Sequence, residues 1–198
     1  MNIKKFYLLV LIFISTFNNA YSIEADIFVQ STINKATKIL SSNTSKENKI
    51  EQLKEVAKET VDIKGISFYT LGSARKNLSE SERKTYAMLF EEYFLKSFSG
   101  RLVDYTNPEI DVIEKEKLND NYTIVKSSLN GNNERPTVKI DWRIYTKNPD
   151  KPLIRDLIIE GLSLARTQKE EFASILNSNN GDINILFISL KEFSKKTN

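Results

Sequence analysis

The sequence predicts an α+β fold in which helices wrap around a curved antiparallel sheet of about four strands. Apolar residues recur at helical spacing before residue 105 and after residue 167, whereas between Pro108 and Gly161 their period falls to two. The strand-like segments are joined by short polar turns, so successive strands are expected to pair antiparallel. Helices and strands do not alternate, which argues against a parallel βαβ sheet.

Two amphipathic helices are predicted first, over 24–40 and 46–62, because each segment carries apolar residues three or four positions apart. A run rich in Ser, Asn and Thr at 41–45 separates them. Gly65 and Gly72 interrupt the next segment, which therefore predicts short helical turns rather than one long element.

The clearest helix is predicted within 79–105, where Ser79 and Glu82 form a capping box. Its apolar positions make a continuous, aromatic-rich stripe that is typical of a helix face packed in a core. The stripe comprises Tyr86, Leu89, Phe90, Tyr93, Phe94, Phe98 and Leu102.

Four strands are predicted over 109–118, 122–129, 137–146 and 153–161. In the third strand one face is apolar and the other carries Lys139, Asp141 and Arg143. The apolar face consists of Val138, Ile140, Trp142 and Ile144. The fourth strand is apolar on both faces, with Leu157 and Ile159 on one and Ile158 and Leu162 on the other, so both sides must be covered.

Two helices are predicted to end the fold. Thr167 and Glu170 form a second capping box, which places the start of the first of them near residue 168. Asp182 is the expected N-cap of the second, over 183–193.

Residues 1–22 have the pattern of a secretory signal peptide. Lys4 and Lys5 precede an apolar run at 6–17, and the small residues Ala20 and Ser22 favour cleavage after Ser22. The apolar run is short for a membrane span, although an uncleaved amphipathic anchor is the alternative. We therefore predict an exported chain whose single domain covers 23–198.

Composition restricts the function classes. Without residues 1–22 the chain keeps 27 of its 29 basic residues against 26 acidic ones, a net charge near +1 that argues against a nucleic-acid partner. It contains no cysteine, hence no disulfide and no lipobox, and no histidine. The commonest general base, nucleophile and metal ligands are thus missing, and there is no glycine-rich phosphate loop, so we predict no catalytic residue, metal or cofactor.

Asp156 and Glu160 are the carboxylates that could carry chemistry, because both lie on one face of the fourth strand beside apolar residues. The favoured interpretation is structural: an ion pair with Arg143 or Arg155, or hydrogen bonds to nearby backbone. The alternative is an acid–base site in which a tyrosine is the proton donor. The candidate donors are Tyr86, Tyr93 and Tyr145.

The segment "DLIIEGLSLARTQKEEFASIL" at 156–176, with "VKIDWR" at 138–143, resembles the C-terminal signature of the periplasmic phospholipid-binding proteins of the Mla pathway. These proteins, the MlaC family, are also called toluene-tolerance or ABC-transporter auxiliary components. Segments 81–102 and 69–79 are similar to the family's long helix and the stretch before it, so the resemblance covers about residues 25 to 193. The matching positions are Asp156, Ile158, Glu160, Gly161, Leu162, Ser163, Leu164, Thr167, Gln168 and Phe172.

This resemblance implies a sheet related to the NTF2-like fold and an apolar cavity, between sheet and helices, that takes phospholipid acyl chains. It implies a soluble periplasmic carrier without catalysis. Such a carrier shuttles lipid between an outer-membrane lipoprotein complex and an inner-membrane ABC transporter with an MCE-domain subunit, and so maintains outer-membrane lipid asymmetry. The alternatives are an NTF2-like acid–base enzyme acting on a hydrophobic small molecule and, third, a periplasmic adaptor that only binds other proteins.

On the carrier hypothesis, apolar residues of the long helix, the last two strands and the helix after them line the pocket. The expected lining residues are Tyr86, Phe90, Tyr93, Phe94, Phe98, Trp142, Ile144, Leu157, Ile159, Leu162, Leu164 and Phe172. Charge at the mouth or at docking surfaces is expected from Arg75, Arg143, Arg155 and Arg166. Some relatives place their tryptophan two positions later, at Ile144 here, so pocket shape is expected to differ locally.

Overall fold

The structure, a computed structural model, describes residues 23–131 and 135–196. The predicted signal peptide lies outside the described residues. Within them the helices are α1 (Ala25–Leu40), α2 (Lys46–Thr60), α3 (Ile63–Thr70), α4 (Glu80–Leu102), α5 (Leu164–Ser178) and α6 (Ile183–Lys195), with a 3-10 turn at Ala74–Lys76. The strands are β1 (Ile110–Asn119), β2 (Tyr122–Leu129), β3 (Val138–Tyr145), β4 (Leu153–Ile159) and β5 (Leu162–Ser163). None of these helices has the length and apolar character that a membrane span requires.

The strands form one antiparallel sheet in the order β1-β2-β3-β4-β5, which confirms the predicted meander. The register shifts twice along β1, between Val112 and Glu114 and between Lys117 and Asn119, and once between β3 and β4, where Arg143 and Ile144 pair with Asp156 and Ile154. Such bulges bend a strand and increase its twist, which curves the sheet.

The end of the fourth strand differs from the prediction. β4 stops at Ile159, because Glu160 and Gly161 take positive φ angles of 49° and 83° and reverse the chain. Glycine adopts such a φ without strain. Leu162 and Ser163 then return along β4 as the short strand β5, so Leu162 does not lie on the fourth strand as expected.

The start of α5 was also predicted wrongly. Ser163 is the N-cap, and its hydroxyl accepts a hydrogen bond from the Arg166 backbone N–H at 3.1 Å. Thr167 lies one turn inside the helix, where its hydroxyl donates to the Ser163 carbonyl at 3.0 Å. Ser163 leaves the hairpin already extended, so the helix can begin directly after it.

The other predicted helix starts are confirmed. The Ser79 hydroxyl accepts from the Glu82 backbone N–H at 3.2 Å, and the Glu82 carboxylate accepts from the Ser79 backbone N–H at 2.7 Å. Asp182 caps α6 by accepting from the Asn184 N–H at 2.9 Å. The glycine-containing segment before α4 forms the short α3 and the 3-10 turn, as expected.

The core lies between one face of the sheet and the helices. α1 packs on β1 and β2, α5 packs on β4, and α4 is surrounded by α2, α3 and α6. One continuous cluster of buried apolar side chains joins the sheet face to α1, α3, α4, α5 and α6. The long helix is therefore a central element of the fold.

Candidate functional site

The sheet contributes an apolar face to the core. Trp142 lies between Val125 of β2 and Leu157 of β4, and Ile140 lies between Ser127 and Ile159. Toward the start of β3, Val138 pairs with Leu129, which pairs in turn with Ile110 of β1. The predicted apolar face of the third strand is thus confirmed, and the two preceding strands extend it.

Helix α4 places a row of aromatic rings in the same core. Ring centroids are separated by 5.8 Å between Tyr86 and Phe90, 6.1 Å between Phe90 and Phe94, and 5.7 Å between Phe94 and Phe98. Phe172 of α5 meets Tyr86 and Phe90 edge-on, at 6.4 and 6.2 Å. We call these rings and the apolar sheet face together the apolar layer.

The two halves of α4 belong to opposite ends of this layer. Near its start, the Tyr86 hydroxyl bonds Thr70 at the end of α3, and α3 begins beside the Val61–Ile154 bridge to β4. Ile154 is the partner of Ile144 in the sheet. The last turn of α4 instead leads through residues 103–109 to Ile110, at the other end of the sheet.

Burial differs between these ends. Tyr86 and Ile144 are 0% exposed and Phe90 is 1% exposed, and we call these three with Phe172 the closed end. The open end consists of side chains that are only partly buried although they pack against the core: Phe94, Phe98, Ile110, Leu129 and Val138. The layer is therefore packed solid at one end and incompletely covered at the other.

Polar groups within the layer are paired. The Tyr86 and Thr70 hydroxyls lie 2.8 Å apart, and burial raises the pKa of the Tyr86 phenol well above its ordinary value. The Trp142 indole N–H donates to the Ser127 hydroxyl at 2.8 Å, and that hydroxyl donates to the Ile140 carbonyl at 3.0 Å. These groups are held neutral and hydrogen-bonded, so the layer offers apolar surface rather than reactive groups.

Tyr93 sits at the edge of the layer, where α4 meets α5. Its hydroxyl donates to the Gln168 side-chain carbonyl at 2.6 Å, and burial raises its pKa. Its ring lies 5.9 Å from Phe172 and 4.7 Å from Phe193 of α6. Tyr93 thus ties three helices together.

Most of the predicted lining residues lie in or against the apolar layer. Tyr86, Phe90, Trp142, Ile144 and Phe172 belong to the core cluster. Tyr93, Phe94, Phe98 and Leu157 pack against it, and Ile159 and Leu164 are partly buried. Leu162 is different: it is 59% exposed, because the turn at Gly161 carries it out of the sheet face. Their role as pocket lining stays a prediction.

Sequence reasoning missed the contribution of the first two strands. Ile110, Leu129 and Val125 complete the layer, and Ser127 anchors Trp142. The signal was available, because apolar residues alternate in both segments.

The four predicted arginines do not gather at one place. Arg155 forms an ion pair with Asp62 at 2.6 Å, donates to the Tyr122 hydroxyl at 2.7 Å, and lies 3.8 Å from the centre of the Tyr145 ring. It fixes the junction of α2 and α3 to the start of β4. Arg143 faces Asp156 at 3.5 Å on the sheet face opposite the layer. Arg75 and Arg166 are exposed, on the 3-10 turn and on α5.

The contacts that the structural interpretation of the two carboxylates predicts are present. Buried Asp156 accepts hydrogen bonds from the Ser163 hydroxyl at 2.6 Å and the Ala165 backbone N–H at 3.0 Å, and so pins the start of α5. Glu160 accepts from the Lys139 backbone N–H at 2.5 Å. With Tyr86 and Tyr93 bonded to Thr70 and Gln168, this geometry favours structure over acid–base chemistry.

An open groove of about 500 Å³ lies beside the open end, between the second half of α1 and the start of β1. It is lined by Ile33, Asn34, Thr37, Lys38, Pro108, Glu109, Ile110, Asp111 and Asn130. Within residues 23–131 and 135–196, no three carboxylates converge as a metal site would require.

Comparison with known proteins identifies a family and a related solved structure. The family model described as MlaC protein matches residues 30–192. A phospholipid-binding protein from Ralstonia solanacearum, solved in complex with a phospholipid, superposes with a TM-score of 0.73. The match covers 87% of this chain and 97% of that one, at 18% sequence identity, so it shows a shared fold. No curated protein sequence matches significantly.

Proposed function

The chain belongs to the MlaC family, and on that premise we propose that it is a phospholipid carrier. The acyl chains would lie between the apolar face of the sheet and the aromatic row of α4. The observation that carries this proposal is the gradient of burial along one continuous apolar layer, from the closed end to the open end. An apolar layer left incompletely covered at one end is suited to a ligand that is itself apolar at one end.

Hydrophobic transfer supplies the required free energy without a catalytic group. Each buried methylene contributes about 0.8 kcal/mol, so a palmitoyl-length chain gains roughly 10 kcal/mol on leaving water. Part of this gain is spent on separating side chains that pack against each other in the empty protein. Phe94 and Phe98 are only partly buried and are the rings that can move at least cost.

The Ralstonia solanacearum protein, solved in complex with a phospholipid, shares this fold and so supports the phospholipid-carrier proposal. We extend the proposal to the cellular role: export to the periplasm by the segment 1–22, and shuttling between an outer-membrane lipoprotein complex and an inner-membrane ABC transporter with an MCE-domain subunit. Membership of the family supports this role. Transport energy would come from the permease partner.

Lipid extraction tests the carrier proposal. The chain from residue 23 is purified, incubated with phospholipid vesicles, separated from them and extracted with organic solvent, and bound lipid is counted by mass spectrometry. We expect at least about one phospholipid per two chains. Absence of both co-purified and captured phospholipid would overturn the proposal.

A bulky substitution locates the bound chain. Val138→Trp fills the open end, whereas Ile188→Trp places the same side chain on the half-exposed face of α6. We expect Val138→Trp to reduce bound lipid severalfold and Ile188→Trp to leave it unchanged. Equal lipid in both folded variants would contradict the proposed position of the acyl chains.

A further inference from the structure

The groove beside the open end is physically continuous with the apolar layer. Ile33 on its α1 side is 4% exposed and belongs to the core cluster, and Ile110 on its β1 side packs against that cluster. Ile110 is also the strand partner of Leu129, at the open end itself. An acyl chain that left the layer between these residues would bring its polar end into the groove.

The walls of the groove carry charges of both signs that do not pair. Lys38 comes from α1, and Glu109 and Asp111 come from the start of β1. Asp111 accepts a hydrogen bond from the Asn130 side chain at 3.0 Å, but no Lys38 nitrogen lies within 4.0 Å of either carboxylate.

Elsewhere on the same side of the molecule, lysines are close to acids. Lys35, one turn before Lys38 on α1, pairs with Glu59 at 2.9 Å, and Lys115 of β1 pairs with Asp26 at 2.8 Å. The groove thus holds one cation and two carboxylates without an ion pair between them. Its volume of about 500 Å³ is room enough for a small polar group and water.

We propose that this groove binds the headgroup of the carried lipid and favours a zwitterionic headgroup with a primary amine. The inference rests on the proposed carrier function. Lys38, with the Asn34 amide and the Thr37 hydroxyl, would donate to the phosphate. Glu109 and Asp111 would accept the N–H groups of the ammonium.

Two other headgroup classes fit the groove less well. A phosphoglycerol headgroup carries a phosphate but no cation, so it leaves both carboxylates unpaired and near a like charge. A choline headgroup has no N–H to donate, and its quaternary ammonium is usually bound by aromatic rings, of which the groove lining has none.

Competition between headgroups tests the inference. The chain from residue 23 is incubated with vesicles of equal parts phosphatidylethanolamine, phosphatidylglycerol and phosphatidylcholine of one acyl composition, and captured lipid is identified by mass spectrometry. We expect phosphatidylethanolamine to be enriched up to about fivefold over either competitor, the scale of a solvent-exposed ion pair. Capture of all three in the offered ratio would overturn the headgroup inference but leave the carrier function standing. No capture at all would overturn both.

Variants assign the preference to the groove. Glu109→Gln with Asp111→Asn should remove the enrichment of phosphatidylethanolamine, whereas Glu91→Gln with Glu92→Gln makes the same charge change on the exposed face of α4 and should keep it. Lys38→Gln should lower retention of all three lipids, because each carries the phosphate. Enrichment that survives the Glu109 and Asp111 changes would place the selectivity elsewhere and overturn the inference. Melting temperatures of all variants verify folding.

Discussion

The closed and open ends of the apolar layer are built from the same kinds of side chain but differ in how they are covered. At the closed end, Phe172 from α5 crosses over Tyr86 and Phe90, and Thr70 from α3 bonds the Tyr86 hydroxyl. At the open end, Phe94 and Phe98 stack on one another along α4. The difference is therefore whether a ring from another helix covers the aromatic row of α4, and not the type of residue in that row.

This contrast separates stability from binding within one layer. A buried ring surrounded on all sides contributes its full transfer and packing free energy to the folded state. A partly covered ring contributes less, and its exposed part is available to a ligand. We therefore expect the closed end to determine stability and the open end to determine lipid retention.

Truncation of one ring at each end should give the largest difference. Phe90→Ala removes a ring that is 1% exposed and should lower the free energy of unfolding by about 3–5 kcal/mol. Phe98→Ala removes a ring that is only partly buried and should cost less, about 2 kcal/mol, by the area argument. Urea denaturation of the delipidated variants measures both.

Among folded variants, lipid retention should depend on the open end and not on stability. Phe98→Ala should change the amount of lipid held more than Leu53→Ala, a buried truncation outside the layer on α2. Equal stability losses at Phe90 and Phe98 would show that the open end is ordinary core and would break the comparison.

The hydrogen bond from Trp142 to Ser127 lies midway along the sheet face, between the closed end and the open end. Ser127→Ala should cost about 1–2 kcal/mol because it leaves the buried Trp142 N–H unpaired, and Trp142→Phe should cost a similar amount because it removes the same hydrogen bond and part of a buried ring system. In a double-mutant cycle the two losses should be less than additive by about 1 kcal/mol. Additive losses would show that the bond is not formed in solution.

Local chemistry made most of the fold predictable. The alternation in 137–146 gave the buried face of β3 because a pleated strand sends successive side chains to opposite sides. The Ser79–Glu82 capping box gave the start of α4 because both partners lie within four residues of each other. The aromatic row of α4 was predictable too, because its members are also only a few residues apart in sequence.

Features that depend on tertiary contacts were not predictable. Ser163 and Thr167 are both good caps, and the hairpin with β4 decided between them. The exposed position of Leu162 follows from the same turn. Nothing in the aromatic row of α4 distinguishes Phe90 from Phe98, because the burial of Phe90 depends on Phe172, a ring from α5. The separate charges of the groove come from segments about 70 residues apart in sequence.

The pH dependence of the capping box gives the smallest expected effect and acts on the closed end alone, since Ser79 opens the half of α4 that carries Tyr86. The Ser79 hydroxyl and backbone N–H donate to the Glu82 carboxylate and lower its pKa in the folded protein. A lowered folded-state pKa means that this stabilisation is present above the unfolded value, about 4.3, and is lost as pH falls through the folded value.

When the pH is lowered from 6 to 3, the urea midpoint should therefore fall less in Glu82→Gln than in the wild type. Glu80→Gln removes a neighbouring carboxylate but leaves the box intact, so it should follow the wild type. An identical fall of the urea midpoint in all three proteins would show that the capping box does not form. Lipid captured per folded chain at pH 6 should be the same in each protein, because the open end is untouched.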